Sequence, residues 1–204
     1  MNENSLRSKE ADAVYANGWN EILFSQRWLG HPCVKNPLEL FMYQEIMFEK
    51  RPTTIIETGT YKGGSAMFFA SMMDMMKIDG MVYSMDIQEN IWPKHDKIKY
   101  FIGSSTHDEI VTEITRTAIA PVMVVLDSDH DATHVIKELE KYHSLVSIGQ
   151  YLVVEDTHWR PEDRGPWLAI QEFLEKHKNF VIDETKNKYG ILNSPNGFLL
   201  KVEA

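Results

Sequence analysis

The feature that most constrains the fold is an alternation that begins near residue 53 and continues almost to the C-terminus. TTIIET, MVYSMD, KIKYFIGS, PVMVVLDSD and YLVVEDT read as strands, and GGSAMFFASMMDMMKI, THDEIVTEITRTA, DATHVIKELEKYHSLV and GPWLAIQEFLEKH as helices set among them. The runs IIE, MVVL and YLVV lack polar alternation, as parallel strands covered on both faces do. Such alternation with short connections predicts an α/β fold with a doubly wound, mostly parallel sheet. FVIDET and GFLLKV follow with no helix between them, which makes seven strands and predicts an antiparallel C-terminal edge strand. Upstream, residues 8–28 and PLELFMYQEIMFEK read as helices separated by the breaker GHPCVKNP, with Pro37 near the first turn of the second. The expected organisation is an N-terminal helical extension, 1–50, and one domain, 51–204. A chain of 204 residues suits a single core of that size.

In open α/β sheets ligands sit beyond the carboxyl ends of the strands, where the strand order reverses. Those ends carry acids here: Glu57, Asp86, Asp127 with Asp129, and Glu155 with Asp156. An acid at a strand end often only caps the next helix, but acids at all of these ends point to a shared crevice. After the first strand comes ETGTYKGGS, whose glycines are Gly59, Gly63 and Gly64. It fits neither G-x-G-x-x-G nor a P-loop, since no Lys-Ser or Lys-Thr follows the last glycine. Glu57, just before the turn, would repel phosphate and suits a ligand with a cationic end. Gly59 permits close backbone approach, Gly63 and Gly64 admit the chain to the helix, and Ser65 bonds in its first turn. S-adenosylmethionine meets this description, being cationic and free of phosphate. Asp86 would accept its ribose hydroxyls, and the small residues of GSS, Ser104 among them, would face its adenine. Asp127 borders the same cofactor site. A purely structural glycine turn is the alternative.

LDSDH and VVEDT end neighbouring strands. Carboxylates gathered from two strand ends repel one another unless a cation lies between them. All-oxygen ligation suits Mg²⁺, with Asp127, Glu155 and Asp156 as ligands and a substrate hydroxyl as the group it would activate. Asp129 would contact substrate or cap the following helix, with metal ligation a further alternative. His130, three residues past Asp127, is the candidate general base; His134 and His158 are its alternatives. Trp19, Trp28, Trp159 and Trp167 would either wall the acceptor site or pack structurally.

Composition removes other classes. A formal charge of −9 with no basic stripe argues against a nucleic-acid binder. Cys33 is the sole cysteine, so neither a disulfide framework nor a thiolate metal cluster is available. The N-terminus has no apolar signal-peptide core, and no run approaches a membrane span. A cytoplasmic protein with a small-molecule substrate and no membrane partner is expected.

IIETGTYKGGSA, VMVVLDSDH, SIGQYLVVEDT, GPWLAIQEFL and NGFLLKV together resemble the cephalosporin hydroxylase-like family, from about Trp28 to the C-terminus. Despite that name, its members look like class I S-adenosylmethionine-dependent methyltransferases with a Rossmann-like sheet. The resemblance implies Mg²⁺-dependent O-methylation of a sugar or hydroxylated secondary metabolite, and a homo-oligomer by the same analogy. The D-x-x-H arrangement from Asp127 to His130, followed by two adjacent acids, is similar also to macrolide sugar O-methyltransferases. There the motif's Asp and the later acid pair bind metal, and the His is the base. Glu155-Asp156 stands where related enzymes often have Asp-Asn or Asp-Asp, a variant familiar in the family. The rival readings are a hydroxylase or oxidoreductase, for which the sequence offers neither a paired-His iron triad nor a dinucleotide loop, and a non-catalytic cofactor-binding protein.

Overall fold

A computed structural model describes residues 18–158 and 165–203. Residues 8–17 of the segment expected as a helix over 8–28 lie outside them, as does Trp159. The described part is a short helix, α1 (Asn20–Ser25), followed by β1 (Arg27–Trp28) and β2 (His31–Pro32). Helix therefore stops before Trp28. The two strands pair antiparallel, and Leu29 at φ 48° and Gly30 at φ 85° form the tight turn between them. Two successive residues with positive φ are what a two-residue hairpin of natural twist requires.

Helix α2 (Pro37–Lys50) starts at Asn36, whose side chain accepts the Leu38 N–H at 3.0 Å, and Pro37 fills the first helical position. Its inner face, Met42, Tyr43, Ile46 and Met47, is fully buried in the main core. Side chains of this size contribute about 1.5–3 kcal/mol each when removed from water.

The sheet then follows the predicted alternation: β3 (Thr54–Thr58), α3 (Gly64–Met75), β4 (Met81–Asp86), β5 (Ile98–Ile102), α4 (Asp108–Thr117), β6 (Val122–Leu126), α5 (Ala132–Tyr142), β7 (Tyr151–Val154), α6 (Pro166–Lys176), β8 (Phe180–Ile182) and β9 (Phe198–Lys201). The seven-stranded order is β5-β4-β3-β6-β7-β9-β8. The pairs among β3 to β7 are parallel, while the C-terminal β9 runs antiparallel to both β7 and β8 and lies between them. Successive strand residues serve opposite faces. Ile55, Met123 and Val125 join the core under α2 and α3, whereas Ile56, Val124 and Leu126 join the one under α5 and α6. Strand order reverses between β3 and β6, so the crevice forms where Thr58 and Leu126 pair. Among the described residues no helix is long and apolar enough to cross a membrane.

Candidate active site

The glycine turn is built by backbone contact across that reversal. Gly59 adopts φ +84°, its N–H donates to the Met85 carbonyl at 2.8 Å, and a Cβ there would fall 1.8 Å from the Asp127 carbonyl oxygen. The close approach expected of Gly59 is thus to the end of β6. Gly63, also left-handed, starts α3 against Pro93. Between them the Tyr61 N–H donates to Asp86 Oδ2 at 2.7 Å, and the Gln88 N–H donates to Oδ1 at 3.0 Å. Glu57 is fully buried beneath the turn, where the Ser84 hydroxyl donates to it at 2.6 Å. Burial pushes its carboxyl up, opposed by Lys35, Ser65 and Ser84.

Two cavities meet at this turn. The larger, about 720 Å³, is lined by residues that include Met85, Gly103, Ser104, Ser105, Asp129 and His134. The smaller, about 300 Å³, is lined by Phe24, Lys35, Tyr61, Ser65, Asp127 and Asp156 among others. Gly59, Asp86, Ser128 and His130 border both. Glu57 and Gly63 line neither. Ser104 shares a hydrogen bond with Thr106 at 3.0 Å.

The strand-end acids converge, though with different partners. Lys35, expected only as part of a chain break, is 2% exposed; its ammonium pairs with Asp127 and lies 2.8 Å from Glu155 Oε1. Glu155 also accepts from the Tyr43 hydroxyl at 2.6 Å. Burial, with help from Asp127, pushes its carboxyl up to about 7 against the pull of Lys35 and Tyr43. The Lys35 ammonium is held well above the ordinary lysine range: burial opposes the charge, but Asp127 and Glu155 outweigh it. Asp156 takes a left-handed backbone at φ 54°, a strained conformation that Asp tolerates better than most residues. That turn aims its Oδ2 at His130 Nε2, 3.0 Å away, and Asp127 Oδ1 lies 3.8 Å from the same nitrogen. The Asp127 and Asp156 carboxylates raise His130 to about 10 despite its burial. One donor atom each from Asp127, His130 and Asp156 lies within 4.8 Å of the others. Two carboxylates and an imidazole at that spacing fit a divalent ion. Glu155, expected as a third carboxylate ligand, is already engaged by Lys35 and Tyr43.

The remaining expected residues are placed as follows. Asp129 accepts the Asp131 N–H at 2.9 Å, and it is Asp131 that caps α5, accepting from Thr133. Of the alternatives open for Asp129, the cap thus falls to Asp131 instead. His134 faces Ser105 at 3.1 Å on the larger cavity, and His158 Nδ1 lies 2.6 Å from the Asn193 carbonyl and 3.7 Å from Asp156. Trp28 donates to Ser71 at 2.9 Å and packs edge-on to Phe68, while Trp167 packs on the core under α5 and α6. These two line neither cavity; Phe24 and Tyr61 line the smaller one. A paired-His group that the sequence did not reveal forms from Glu140, His143 and His177 at the C-terminal ends of α5 and α6, outside both cavities.

The family model for rhamnosyl O-methyltransferase/CmcI matches residues 20–202. Over 216 residues the chain is 31% identical to a rhamnosyl O-methyltransferase of Mycobacterium tuberculosis, spanning 96% of the chain and 87% of that relative. To the enzyme of the same name from Mycobacterium leprae it is 32% identical over 199 residues, spanning 90% and 84%. Among solved structures, CmcI with Mg and SAM gives a TM-score of 0.73 at 23% identity, over 88% of this chain and 78% of that one. An O-methyltransferase from Bacillus cereus with SAH gives 0.54 at 14% identity, over 83% and 78%. At these identities the structural likeness concerns the fold.

Proposed function

Because the chain belongs to the rhamnosyl O-methyltransferase/CmcI family, we propose that it moves the methyl group of S-adenosylmethionine to a hydroxyl of a sugar-type acceptor, with Mg²⁺ at Asp127 and Asp156. The observation that carries this reading is the junction of the two cavities at Gly59, Asp86, Ser128 and His130, with Asp127 and Asp156 on the smaller side only.

The larger cavity suits the adenosine. Each Asp86 oxygen has accepted one backbone N–H, and a carboxylate offers about four acceptor sites, so capacity is left for ribose hydroxyls. Gly103 and Ser104 leave room for a flat base. The smaller cavity, with Ser65 and Asp127 on its wall, suits the methionine half and the point of transfer. Glu57 and Gly63 support the turn from beneath rather than from a cavity wall.

In the reaction an acceptor oxygen lone pair forms the O–C bond while the C–S bond breaks. The electron pair stays on sulfur, giving S-adenosylhomocysteine. The hydroxyl proton passes to His130 Nε2 once that nitrogen has left its contacts with Asp156 at 3.0 Å and Asp127 at 3.8 Å. His130 accepts that proton only as the neutral imidazole, so the hold of Asp127 and Asp156 on it must slacken in the working complex. When bound, a divalent ion supplies Lewis-acid polarisation of the acceptor oxygen. Fixing two reactants side by side accounts for much of the acceleration.

The test is a product screen with methyl-labelled cofactor against rhamnosides, other glycosides and phenolics, in Mg²⁺ or in EDTA. A methylated sugar formed only with metal is the expected result. No labelled product from any acceptor, together with no S-adenosylmethionine affinity by calorimetry, would remove the proposal.

A further inference from the structure

Glu140, His143 and His177 stand apart from the candidate active site. Helix α5 starts beside the strand-end acids and runs 11 residues away from them, about 16 Å, before reaching this group. Glu140 and His143 are three positions apart, hence on one face at the end of α5, and His177 directly follows α6. One donor atom from each lies within 4.8 Å of the others. His177 Nε2 is 3.2 Å from Glu140 Oε2 and 3.3 Å from Oε1. A tetrahedral zinc ion with bonds of about 2.0–2.1 Å holds its ligand atoms about 3.3 Å apart, so this pair already has the spacing. An ion pair between His177 and Glu140 would not by itself require His143 to bring a donor atom to the same point. Packing fixes both rings: His177 stacks on Phe173 with centroids 4.3 Å apart, and His143 lies edge-on to Phe173 and Phe180. Both histidines sit at helix C-termini, where the helix dipole favours a cation. Lys176 reaches within 4.0 Å of Glu140 Oε1 but is 63% exposed, so it can yield that contact to an ion.

We propose that Glu140, His143 and His177 form a site for a divalent transition ion of the zinc class, which clamps the end of α5 to the end of α6. Two imidazoles and a carboxylate are a zinc-type donor set, whereas Mg²⁺ prefers oxygen throughout. Water completes the coordination on the exposed side, where Glu140 lies. Neither cavity reaches the site, so the ion acts on stability and not on the transfer reaction. It binds only when the two helix ends are in place, and therefore stabilises the fold by mass action.

Zinc can also enter the group of Asp127, His130 and Asp156, so the test reads a difference between proteins. Wild type, Glu140→Gln, His143→Phe and His177→Gln are dialysed against micromolar free Zn²⁺, counted for bound zinc, and melted with ZnCl₂, with MgCl₂ and in EDTA. Wild type should hold one Zn²⁺ more than His143→Phe or His177→Gln, and its Tm should gain several degrees more from ZnCl₂ than theirs. Glu140→Gln should bind that ion about tenfold more weakly. MgCl₂ should not separate the four proteins. A variant that fails to fold leaves the other two to decide, since each removes a ligand. Equal zinc uptake and equal Tm gain in wild type and the folded variants overturn the inference, and so does a separation that Mg²⁺ produces as strongly as Zn²⁺. Neither result bears on the proposed methyl transfer.

Discussion

A Cβ on Gly59 would fall 1.8 Å from the carbonyl oxygen of Asp127, so the glycine turn and the acid that ends β6 are packed backbone to backbone. No rotamer change relieves such a clash, because both groups are main chain. Gly59→Ala also places a side chain at φ +84°, which costs about 1–2 kcal/mol before any displacement is counted. The expected destabilisation is about 3 kcal/mol in urea unfolding, with loss of cofactor binding. A change within about 0.5 kcal/mol would mean the turn is free to move away from β6.

Asp86 serves two masters, its own turn and, by the proposal, the cofactor. Asp86→Asn keeps one carbonyl oxygen and should weaken S-adenosylhomocysteine binding by about tenfold. Asp86→Ala should weaken it by about a hundredfold, since hydrogen bonds to a charged group contribute about 1.5–3 kcal/mol. Asp127→Ala should leave that affinity nearly unchanged while abolishing metal-dependent turnover. Calorimetry on the three variants decides, and equal losses at Asp86 and Asp127 would show that cofactor and metal duties are not divided as proposed.

What the sequence disclosed and what it hid follow from the range of the interactions. The parallel strands were legible because both faces are buried, so IIE and MVVL carry their signal locally. The converging acids were legible because a strand's C-terminal end is fixed by the strand itself. Lys35 was hidden: GHPCVKNP reads as a chain break, and its two carboxylate partners come from strands far along the chain, Asp127 being 92 positions away. The direction of Glu155 depends on Tyr43, 112 residues distant, which sequence spacing cannot encode. Asp129 and Asp131 are chemically alike. Only the backbone, extended at Asp131 and helical from Ala132, separates cap from turn. The insertion of β9 between β7 and β8 likewise rests on pairing that no local pattern specifies.

His143 should make the fold acid-sensitive. Burial, followed by the nearby His177, holds its imidazole below the ordinary range. A histidine depressed in the folded state contributes stability above its unfolded value, about 6.5, and loses it as pH falls through that value towards the folded one. The contribution of His143 to Tm should therefore fall between pH 7.5 and 5.5, and the Tm of His143→Phe should rise relative to wild type across that interval. Phe suits the site because Phe173 and Phe180 already pack against the ring, with centroids 5.8 and 6.5 Å away. An identical slope in wild type and variant would assign the acid sensitivity to other groups.

His130 and Asp156 should separate chemistry from binding. A positioned base contributes about 10²–10⁴ in rate, so His130→Ala should lower kcat by that order while S-adenosylhomocysteine affinity stays within about threefold. Asp156→Asn keeps an oxygen for His130 at the 3.0 Å contact but loses the charge. It should therefore retain more activity than His130→Ala when Mg²⁺ is raised, because weakened metal binding responds to concentration whereas a missing base does not. Steady-state rates over a Mg²⁺ series distinguish the two defects. A His130→Ala enzyme with wild-type kcat across the pH range would move the base elsewhere, and His158, 3.7 Å from the same Asp156, would be the next residue to test.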